Sequence, residues 1–286
     1  MNQSSLKRVF PSRKVDMGGI PVLQPFPTST VEQIDPFLLL HHSKIKAREG
    51  SHPLQAGIGP HPHRGFAPVT YVIEGALHHR DSLGNSSIIS EGGAQWLVAG
   101  RGIIHSERPS RELAESGGHV EVVQIWINLT RKNKMDAPNY VGLEKNDLTK
   151  LSLGSELNLE LIAGGYGDEK GKVNPPFPLL FGALSGKGSG VLEVPPNMEG
   201  GIYVIRGNGK ISGHGLMEEK NFYHLESKVQ SVDLDVEDEF LALVMLGQPI
   251  KESLATYGPF VMNNQTEIME AMRDYNQGRM GILIEE

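Results

Sequence analysis

The fold of this protein is decided by the stretch HPHRGFAPVTYVIEGALHHRDSLGN, residues 61–85. Its β-branched and aromatic residues nearly alternate with others from Pro68 to Arg80, and turn residues follow, which is the pattern of β-strands. The same texture recurs in SSIISEGGAQWLVAG (86–100) and HVEVVQIWINL (119–129). Strands separated by turns every 8 to 12 residues or so are typical of an all-β antiparallel sandwich or barrel.

The composition favours many short strands over a helical bundle. The 286 residues include 34 glycines and 18 prolines, together about 18% against a usual sum of about 12%. There is no cysteine, which excludes disulfides and thiolate metal sites. The net charge of −7 is spread without long runs and argues against direct nucleic-acid binding. With no long apolar run and no hydrophobic signal region, we expect a cytoplasmic protein without membrane contact.

The second half repeats the β texture, and a short internal match links the two halves. Tyr71-Val-Ile-Glu-Gly matches Tyr203-Val-Ile-Arg-Gly at an offset of 132 residues. The length suits one large or two small domains. We therefore predict two similar β-barrels in tandem, residues 1–150 and 151–286, with a polar loop over 130–150.

The C-terminal part of the second half contains the clearest predicted helix, NNQTEIMEAMRDYNQG (263–278). Asn264 is a candidate N-cap with a glutamate three residues further on, and Gly278 is a candidate stop. Ile268, Met272 and Tyr275 fall on one helical face. We expect that face to pack on one of the two barrels.

The histidines make the two halves chemically unequal, because nine of the eleven lie within the first 119 residues. His61-Pro-His63 and His105-Ser-Glu107 each place two ligand side chains on one face of a strand. If both segments face one barrel interior, three imidazoles and one carboxylate converge there. That set suits a divalent first-row metal and leaves coordination positions open. Surface-exposed histidines are the alternative explanation for an isolated His-x-His.

The chain resembles the pirin family through motifs ordered along nearly its whole length. In chain order these motifs are D35-P-F-L-L-L, H61-P-H-R-G-F, V69-T-Y-V-I-E-G, H79-R-D-S-L-G-N, Q95-W, A99-G-R-G-I-I-H-S-E, Q124-I-W-I-N-L and Y257-G-P-F-V-M-N. The resemblance implies a bicupin, two antiparallel β-barrel (cupin) domains with metal in the N-terminal one only. It also implies His61, His63, His105 and Glu107 as metal ligands, usually for Fe²⁺, with Mn, Ni, Cu or Zn as alternatives.

Two features qualify the resemblance. The offset of 132 residues places Glu193 opposite His61 and Pro195 opposite His63, so the second barrel cannot reproduce the imidazole pair and should hold no metal. Many pirins carry glutamate where this chain has Ala67. We expect this replacement to keep the four ligands but to remove a charged group near the site.

The resemblance leaves two functions open. Pirin relatives include quercetin 2,3-dioxygenases, which implies O₂-dependent ring opening of a flavonol-like aromatic substrate, with Glu107 as the base that takes the hydroxyl proton. Other pirins resemble non-enzymatic, iron-binding, redox-responsive regulators that bind a protein partner. Turnover of quercetin that disappears on His61→Ala would separate an enzyme from a regulator.

Several neighbouring side chains are candidates for the substrate pocket or for structural support. Gln124 and Trp126 form an i, i+2 pair that can line the barrel beside the metal, although core packing is the alternative for Trp126. Arg64 could serve the pocket or form an ion pair on the opposite strand face. The run His79-Arg-Asp81 is expected to form a structural hydrogen-bond network.

Overall fold

The structure is a computed structural model that describes residues 5–50 and 52–285. The chain forms two compact units. The histidine-rich unit comprises Asp16–Val22, Leu39–Asn146 and the residues from Ile250 onward. The histidine-poor unit comprises the residues up to Val15, Leu23–Leu38 and Asp147–Pro249.

The histidine-rich unit contains a small antiparallel sheet that carries both metal-ligand motifs. Its strands are β5 (Ile58–His63), β7 (Ala76–Asp81), β8 (Ser86–Ser90) and β10 (Ile103–Pro109). They lie in the order β5-β10-β7-β8. Gly75 interrupts the run predicted from Pro68 to Arg80, so this part of the 61–85 stretch forms two strands that lie in different sheets.

A seven-stranded antiparallel sheet supplies the other wall of this unit. Its strands are β2 (Arg13–Met17), β3 (Ile20–Gln24), β4 (Phe37–Ala47), β6 (Phe66–Glu74), β9 (Ala94–Val98), β11 (Gly118–Asn128) and β12 (Asn139–Leu143). They lie in the order β12-β9-β6-β11-β4-β3-β2. The 130–150 segment, predicted as a polar loop, therefore contains the edge strand β12, which pairs with β9.

The histidine-poor unit is built on a single large sheet. Its strands are β1 (Leu6–Pro11), β13 (Thr149–Ser152), β14 (Gly154–Tyr166), β15 (Glu169–Lys170), β16 (Leu179–Glu193), β17 (Glu199–Arg206), β18 (Gly209–Ile211), β19 (Gly215–Met217), β20 (Asn221–Leu225) and β21 (Ser231–Gly247). The main path runs β1-β20-β17-β21-β16-β14-β13. Leu157, Leu159 and Leu161 point to one face of β14 and join a large apolar cluster, so this interior is filled by hydrocarbon.

The two units repeat one strand order, as the five-residue match predicts. The path β9-β6-β11-β4 in one corresponds to β20-β17-β21-β16 in the other. Both copies of the match end on a glycine with positive φ, 79° at Gly75 and 75° at Gly207. The strand that flanks this path differs between the units. Strand β12, which follows β9 in the sequence, flanks β9, whereas the N-terminal strand β1 flanks β20.

The remaining elements are a hairpin and two α-helices of the histidine-rich unit. They are β22 (Ala255–Tyr257), β23 (Phe260–Met262), α1 (Arg111–Ser116) and α2 (Gln265–Asn276). The Asn264 side chain caps α2 by accepting from the Glu267 N–H at 3.0 Å, as predicted. Ile268 of α2 packs with the hairpin residues Phe260 and Met262. The units of the structure therefore differ from the predicted division into 1–150 and 151–286. Strand β1 belongs to the histidine-poor unit because it pairs with β20 there. Helix α2 belongs to the histidine-rich unit because it packs on the hairpin there. No helix among the described residues has the length and apolar character needed to cross a membrane.

Candidate metal site

Antiparallel pairing of β5 with β10 brings the two histidine motifs together. His105 lies opposite His61, and Ile103 lies opposite His63. One extra residue of β5 is accommodated between the Ile58 and His61 pairings, and such bulges re-aim side chains locally. The ligand nitrogens of His61, His63 and His105 all lie within 4.8 Å of one another, as required for binding one ion.

The hydrogen bonds of His61 determine which of its nitrogens faces the cluster. Nδ1 of His61 lies 2.8 Å from the carbonyl oxygen of Gly59, which can only accept, so Nδ1 carries the proton. In the neutral ring Nε2 then presents a lone pair, and it lies 3.1 Å from Nε2 of His63. A carbonyl that orients the far nitrogen in this way is a frequent second partner of metal-binding histidine.

The buried imidazoles have the electronic state that a metal requires. Burial lowers the pKa of His63 and of His105 well below the usual value, and the neighbouring imidazole of His61 lowers both further. Neutral imidazole is the form that binds metal. Both ring nitrogens of His105 are buried without a hydrogen-bond partner among the described residues. An unpaired buried nitrogen is costly, and an ion bound at this position would satisfy it, so these residues fit a metal.

Glu107 shares the strand face of His105 but is held by the opposing sheet. Its Oε1 accepts from Thr70 Oγ1 at 3.1 Å and from Gln95 Nε2, and its Oε2 accepts from Gln124 Nε2 at 2.8 Å. Its oxygens lie outside the 4.8 Å set formed by the histidines. Oε2 has one protein donor and retains acceptor capacity for a further partner.

Gln95 and Thr70 were not singled out as candidates in the sequence. Both are polar residues in otherwise apolar strand sequences, AQWLV and PVTYV. Each is buried. A buried polar residue needs a hydrogen-bond partner. A single polar residue within an apolar strand sequence is therefore the signal that could have identified Gln95 and Thr70. Because donors from β6, β9 and β11 reach a carboxylate on β10, the two sheets of this unit face each other across the site.

The predicted pocket pair lies beside the histidines. Trp126 Nε1 donates to Gln124 Oε1 at 3.2 Å. The Trp126 ring meets the His63 ring edge to face, with centroids 5.4 Å apart. Gln124 thus connects the indole to the Glu107 carboxylate.

Arg64 takes the ion-pair role rather than the pocket role. Its Nη1 and Nη2 each lie 3.1 Å from Oδ2 of Asp274 in α2, and its Nε donates to the carbonyl of Arg101. Arg64 is buried and Asp274 is half-buried, so the pair is largely shielded from solvent and does not lie on an outer face as expected. Burial opposes ionisation of Asp274, but Arg64 outweighs it and the pKa of Asp274 is lowered.

The network expected around His79 and Asp81 is confirmed. His79 Nε2 lies 3.1 Å from Asp81 Oδ2, and the Asp81 carboxylate also accepts from Asn85. The Tyr140 ring stacks on His79 at a centroid distance of 3.9 Å. His79 in turn lies against His105, with ring centroids 5.4 Å apart. The network therefore supports the back of one candidate ligand.

The expectation that Ala67 removes a charged group near the site is wrong. Phe66 contacts His63 and Thr70 contacts Glu107, so even-numbered residues of β6 face the site. Ala67 pairs with Ile127 in regular register and is fully buried. Strand alternation turns its side chain to the other face of the sheet.

A small cavity lies next to Glu107 and Gln124. It has a volume of about 30 Å³ and its remaining lining is largely apolar, formed by Met17, Val22, His41, Ser43, Ile45, Ile58, Leu77 and Val122. Burial lowers the pKa of His41 to about 4, so this lining carries no added positive charge at neutral pH. The volume holds a water molecule, whereas pockets for aromatic ligands are typically about 300 Å³ or more.

Comparison with known proteins places the chain in a family. The family model named Pirin matches residues 19–127, and the Pirin C-terminal cupin domain matches residues 182–281. A Pseudomonas aeruginosa protein named "Putative quercetin 2,3-dioxygenase" is 34% identical over 265 residues, covering 91% of this chain and 92% of that protein. A pirin-like protein of Arabidopsis thaliana is 34% identical, covering 86% and 80% of the two chains.

A solved structure agrees over almost the full length. The crystal structure of quercetin 2,3-dioxygenase from Acinetobacter baumannii superposes with a TM-score of 0.89 at 33% identity, covering 98% of this chain and 99% of that one. Two cupin domains, antiparallel sheets and a histidine cluster in the first domain accompany the sequence matches. The chain belongs to the pirin family of bicupins.

Proposed function

We propose that this protein is a metal-dependent dioxygenase that acts on a flavonol-type, quercetin-like aromatic substrate with O₂. The observation that carries the proposal is the cluster of His61, His63 and His105, with the Glu107 carboxylate on the same strand face as His105. The similarity to the Acinetobacter baumannii quercetin 2,3-dioxygenase over nearly the whole chain supports the substrate class.

The three imidazoles would hold one divalent first-row metal, with iron as the first candidate. Glu107 would join them as a ligand through the lone pair of Oε2 that Gln124 does not use. Such an ion would supply Lewis acidity and an open coordination position for a substrate hydroxyl. Mn, Ni, Cu and Zn suit the same donors, so metal availability would decide among them.

Glu107 is the proposed base for the flavonol hydroxyl proton. Among the described residues, Oε1 accepts from two donors, whereas Oε2 accepts from Gln124 alone. When Oε2 is not a metal ligand, its remaining lone pair would take the hydroxyl proton at hydrogen-bond distance. Gln124 would keep that oxygen in place during the transfer, and Trp126 would in turn orient the Gln124 amide.

The apolar lining beside Glu107 would receive the flat rings of the substrate. A cavity of about 30 Å³ cannot hold them as it stands. Substrate entry therefore requires the lining to open. Met17 and Val22 contribute to this lining from the short strands β2 and β3, and we expect the lining to open at these two side chains. Closure of this lining over the rings would exclude water from the reacting carbons.

The first test measures bound metal in protein purified without a metal-affinity tag. Wild type should carry close to one transition metal per chain, and His61→Ala and His105→Ala should each lose at least nine-tenths of it. The matched control is His119→Ala, which removes a histidine of the same unit outside the cluster. Equal metal content in wild type and His105→Ala would refute the site.

The second test measures O₂ consumption with quercetin. Wild type should turn over, and Glu107→Gln should lower kcat by about 10² or more while quercetin still binds, the usual range for loss of a general base being 10² to 10⁴. Metal-loaded protein that consumes no O₂ with any of a panel of flavonols would refute the enzymatic proposal while leaving the metal site intact.

A further inference from the structure

A second, larger cavity lies behind the metal-ligand strand. Since residues alternate along β10, Ser106 and Arg108 face away from the side of His105 and Glu107. They open into a cavity of about 690 Å³ on the outer face of the small sheet, which Arg80 of β7 also lines. The volume lies within the usual range for small-molecule sites, roughly 300 to 1,000 Å³.

The cavity already receives a carboxylate from the C-terminal tail of this chain. Arg108 Nε lies 2.8 and 3.1 Å from the two oxygens of Glu285, and Arg108 Nη2 lies 2.6 Å from Oε2. This is the two-point guanidinium–carboxylate geometry that gives strong and directional recognition. Hydrogen bonds from Arg108 lower the pKa of Glu285, and the charge of Arg80 lowers it further.

The Arg108 guanidinium is held ready for a carboxylate. Its Nη1 donates to the main-chain carbonyls of Leu54 and Ala56 at 2.7 and 2.9 Å. These bonds fix the plane of the guanidinium independently of Glu285. A pre-oriented donor pair loses little entropy when an anion binds.

Two further groups, Arg80 and Ser106, lie near the Glu285 carboxylate in the cavity. Arg80 has no carboxylate within salt-bridge distance among the described residues, and its Nε has only a 3.4 Å contact with His78. The Ser106 hydroxyl is buried and lies close enough to Glu285 to lower the pKa of that carboxyl. Arg80 and the Ser106 hydroxyl therefore face the same space as Arg108 and would act on a ligand carboxylate that took the position of Glu285.

The walls of the cavity add an apolar surface to these donors. Leu54, Ile88 and Pro109 line it together with the arginines, and Ile88 is 48% exposed. A cavity with a planar anion receptor, a second cation outside any salt bridge of the described residues and hydrocarbon walls matches an organic acid that has an aromatic or aliphatic body.

We propose that this cavity is a second ligand site, which binds a small organic carboxylate through Arg108 and Arg80, and that Glu285 is a built-in competitor for the same guanidinium. The ligand carboxylate would displace Glu285 from Arg108 and take the position of its two oxygens. Arg80 would add charge, Ser106 would add a donor, and the body of the ligand would cover Ile88. The site does not depend on the dioxygenase activity.

Titration calorimetry with benzoate tests the proposal on the full-length, metal-loaded protein. Glu285→Gln should bind benzoate at least tenfold more tightly than wild type, because the competing charge is gone. Adding Arg80→Gln to that variant should reverse the gain about tenfold. Glu270→Gln, which removes the same charge from an exposed position of α2, should bind benzoate as wild type does.

Four results would overturn the proposal as a whole, and a fifth would overturn its assignment to carboxylates. The first two are an unchanged benzoate affinity in Glu285→Gln and an equal gain in affinity in Glu270→Gln. The third is that neutral benzamide binds as tightly as benzoate. The fourth is that the gain of Glu285→Gln survives the added Arg80→Gln, a result that would place benzoate on the metal instead. Inorganic phosphate that binds Glu285→Gln as tightly as benzoate would overturn the carboxylate assignment. Unchanged melting temperatures would show that each variant is folded.

Discussion

Lys134 shows how strictly individual buried polar groups in the histidine-rich unit are paired. Its side chain is 1% exposed, and its Nζ donates to the carbonyls of Gly65 and Val261 and to Asn128 Oδ1. Gly65 follows the His63-Arg64 pair, so Lys134 fixes the chain directly after a candidate ligand. Burial lowers the pKa of Lys134 to about 8, which means that holding this charge inside costs free energy of folding.

Lys134 should make stability rise with pH in the alkaline range. Its folded pKa of about 8 lies below the ordinary value of 10.5. Between these values the unfolded chain binds the proton and the folded chain does not, so the free energy of unfolding rises by about 1.4 kcal/mol per unit of pKa difference. Below about pH 8 both states are protonated and the contribution is flat.

Urea unfolding at pH 7.5 and pH 10 checks this expectation. Wild type should gain about 2 kcal/mol more than Lys134→Met over this interval. Lys134→Met should also be less stable at both pH values, because three buried acceptors lose their donor. Lys132→Met, at an exposed neighbouring position, should follow wild type. A pH profile shared by all three proteins would contradict the assignment.

At the scale of elements, the turn between β9 and β10 sets where the second histidine motif begins. The run Ala99-Gly-Arg-Gly102 needs unusual backbone angles, with φ values of 48° at Gly100 and 127° at Gly102. A Cβ at Gly100 would lie 2.2 Å from the carbonyl oxygen of Asp136. Position 100 therefore requires glycine for two reasons: a side chain would clash with Asp136, and the positive φ favours glycine.

Gly100→Ala and Gly84→Ala separate these two requirements. Gly84 has φ of 89° but no atom within 4 Å of an added Cβ. Gly84→Ala should cost only the left-handed strain, about 1 to 2 kcal/mol. Gly100→Ala should cost a further 1 to 3 kcal/mol or so from overpacking and should weaken metal binding by displacing β10. Equal losses of unfolding free energy in urea would show that the Asp136 contact relaxes without cost.

At the scale of the whole molecule, the order of segments along the chain differs from their order in space. The N-terminal strand β1 pairs with β20 of the histidine-poor unit, and helix α2 packs on the hairpin of the histidine-rich unit. Phe10 of β1 is buried, with its ring 6.3 Å from that of Phe222 and 6.2 Å from that of His224. Residues near the N-terminus thus belong to the core of the C-terminal barrel.

Phe10→Ala should therefore destabilise the histidine-poor unit. The expected loss is about 3 to 5 kcal/mol, the usual cost of removing a buried phenylalanine ring. Hydrogen exchange should accelerate in β17, β20 and β21, with metal content unchanged. Phe10→Leu should retain most of the stability. Faster exchange confined to β5 and β10 would contradict this assignment of β1.

The candidate ligands and the strand regions were predictable because they depend on local periodicity. A two-residue spacing places His61 with His63, and His105 with Glu107, whatever the sheet order. Helix α2 was equally predictable from its cap and its apolar face. The paired edge strand β12 was missed because its sequence, NYVGL, is short and has little alternation, and the strand is held by β9.

The sequence by itself determined an all-β chain with two related halves, imidazoles confined to one of them, and the pirin motifs that identify the family. Only the tertiary structure decided that Glu107 is held by Thr70, Gln95 and Gln124, that Arg64 pairs with Asp274, and that Ala67 faces away from the site. It also decided that β1 joins the histidine-poor unit and that α2 joins the histidine-rich unit. The physical reason is that periodicity assigns a side chain to a face, whereas its partners depend on which strands pair and in what register, over separations of up to 210 residues.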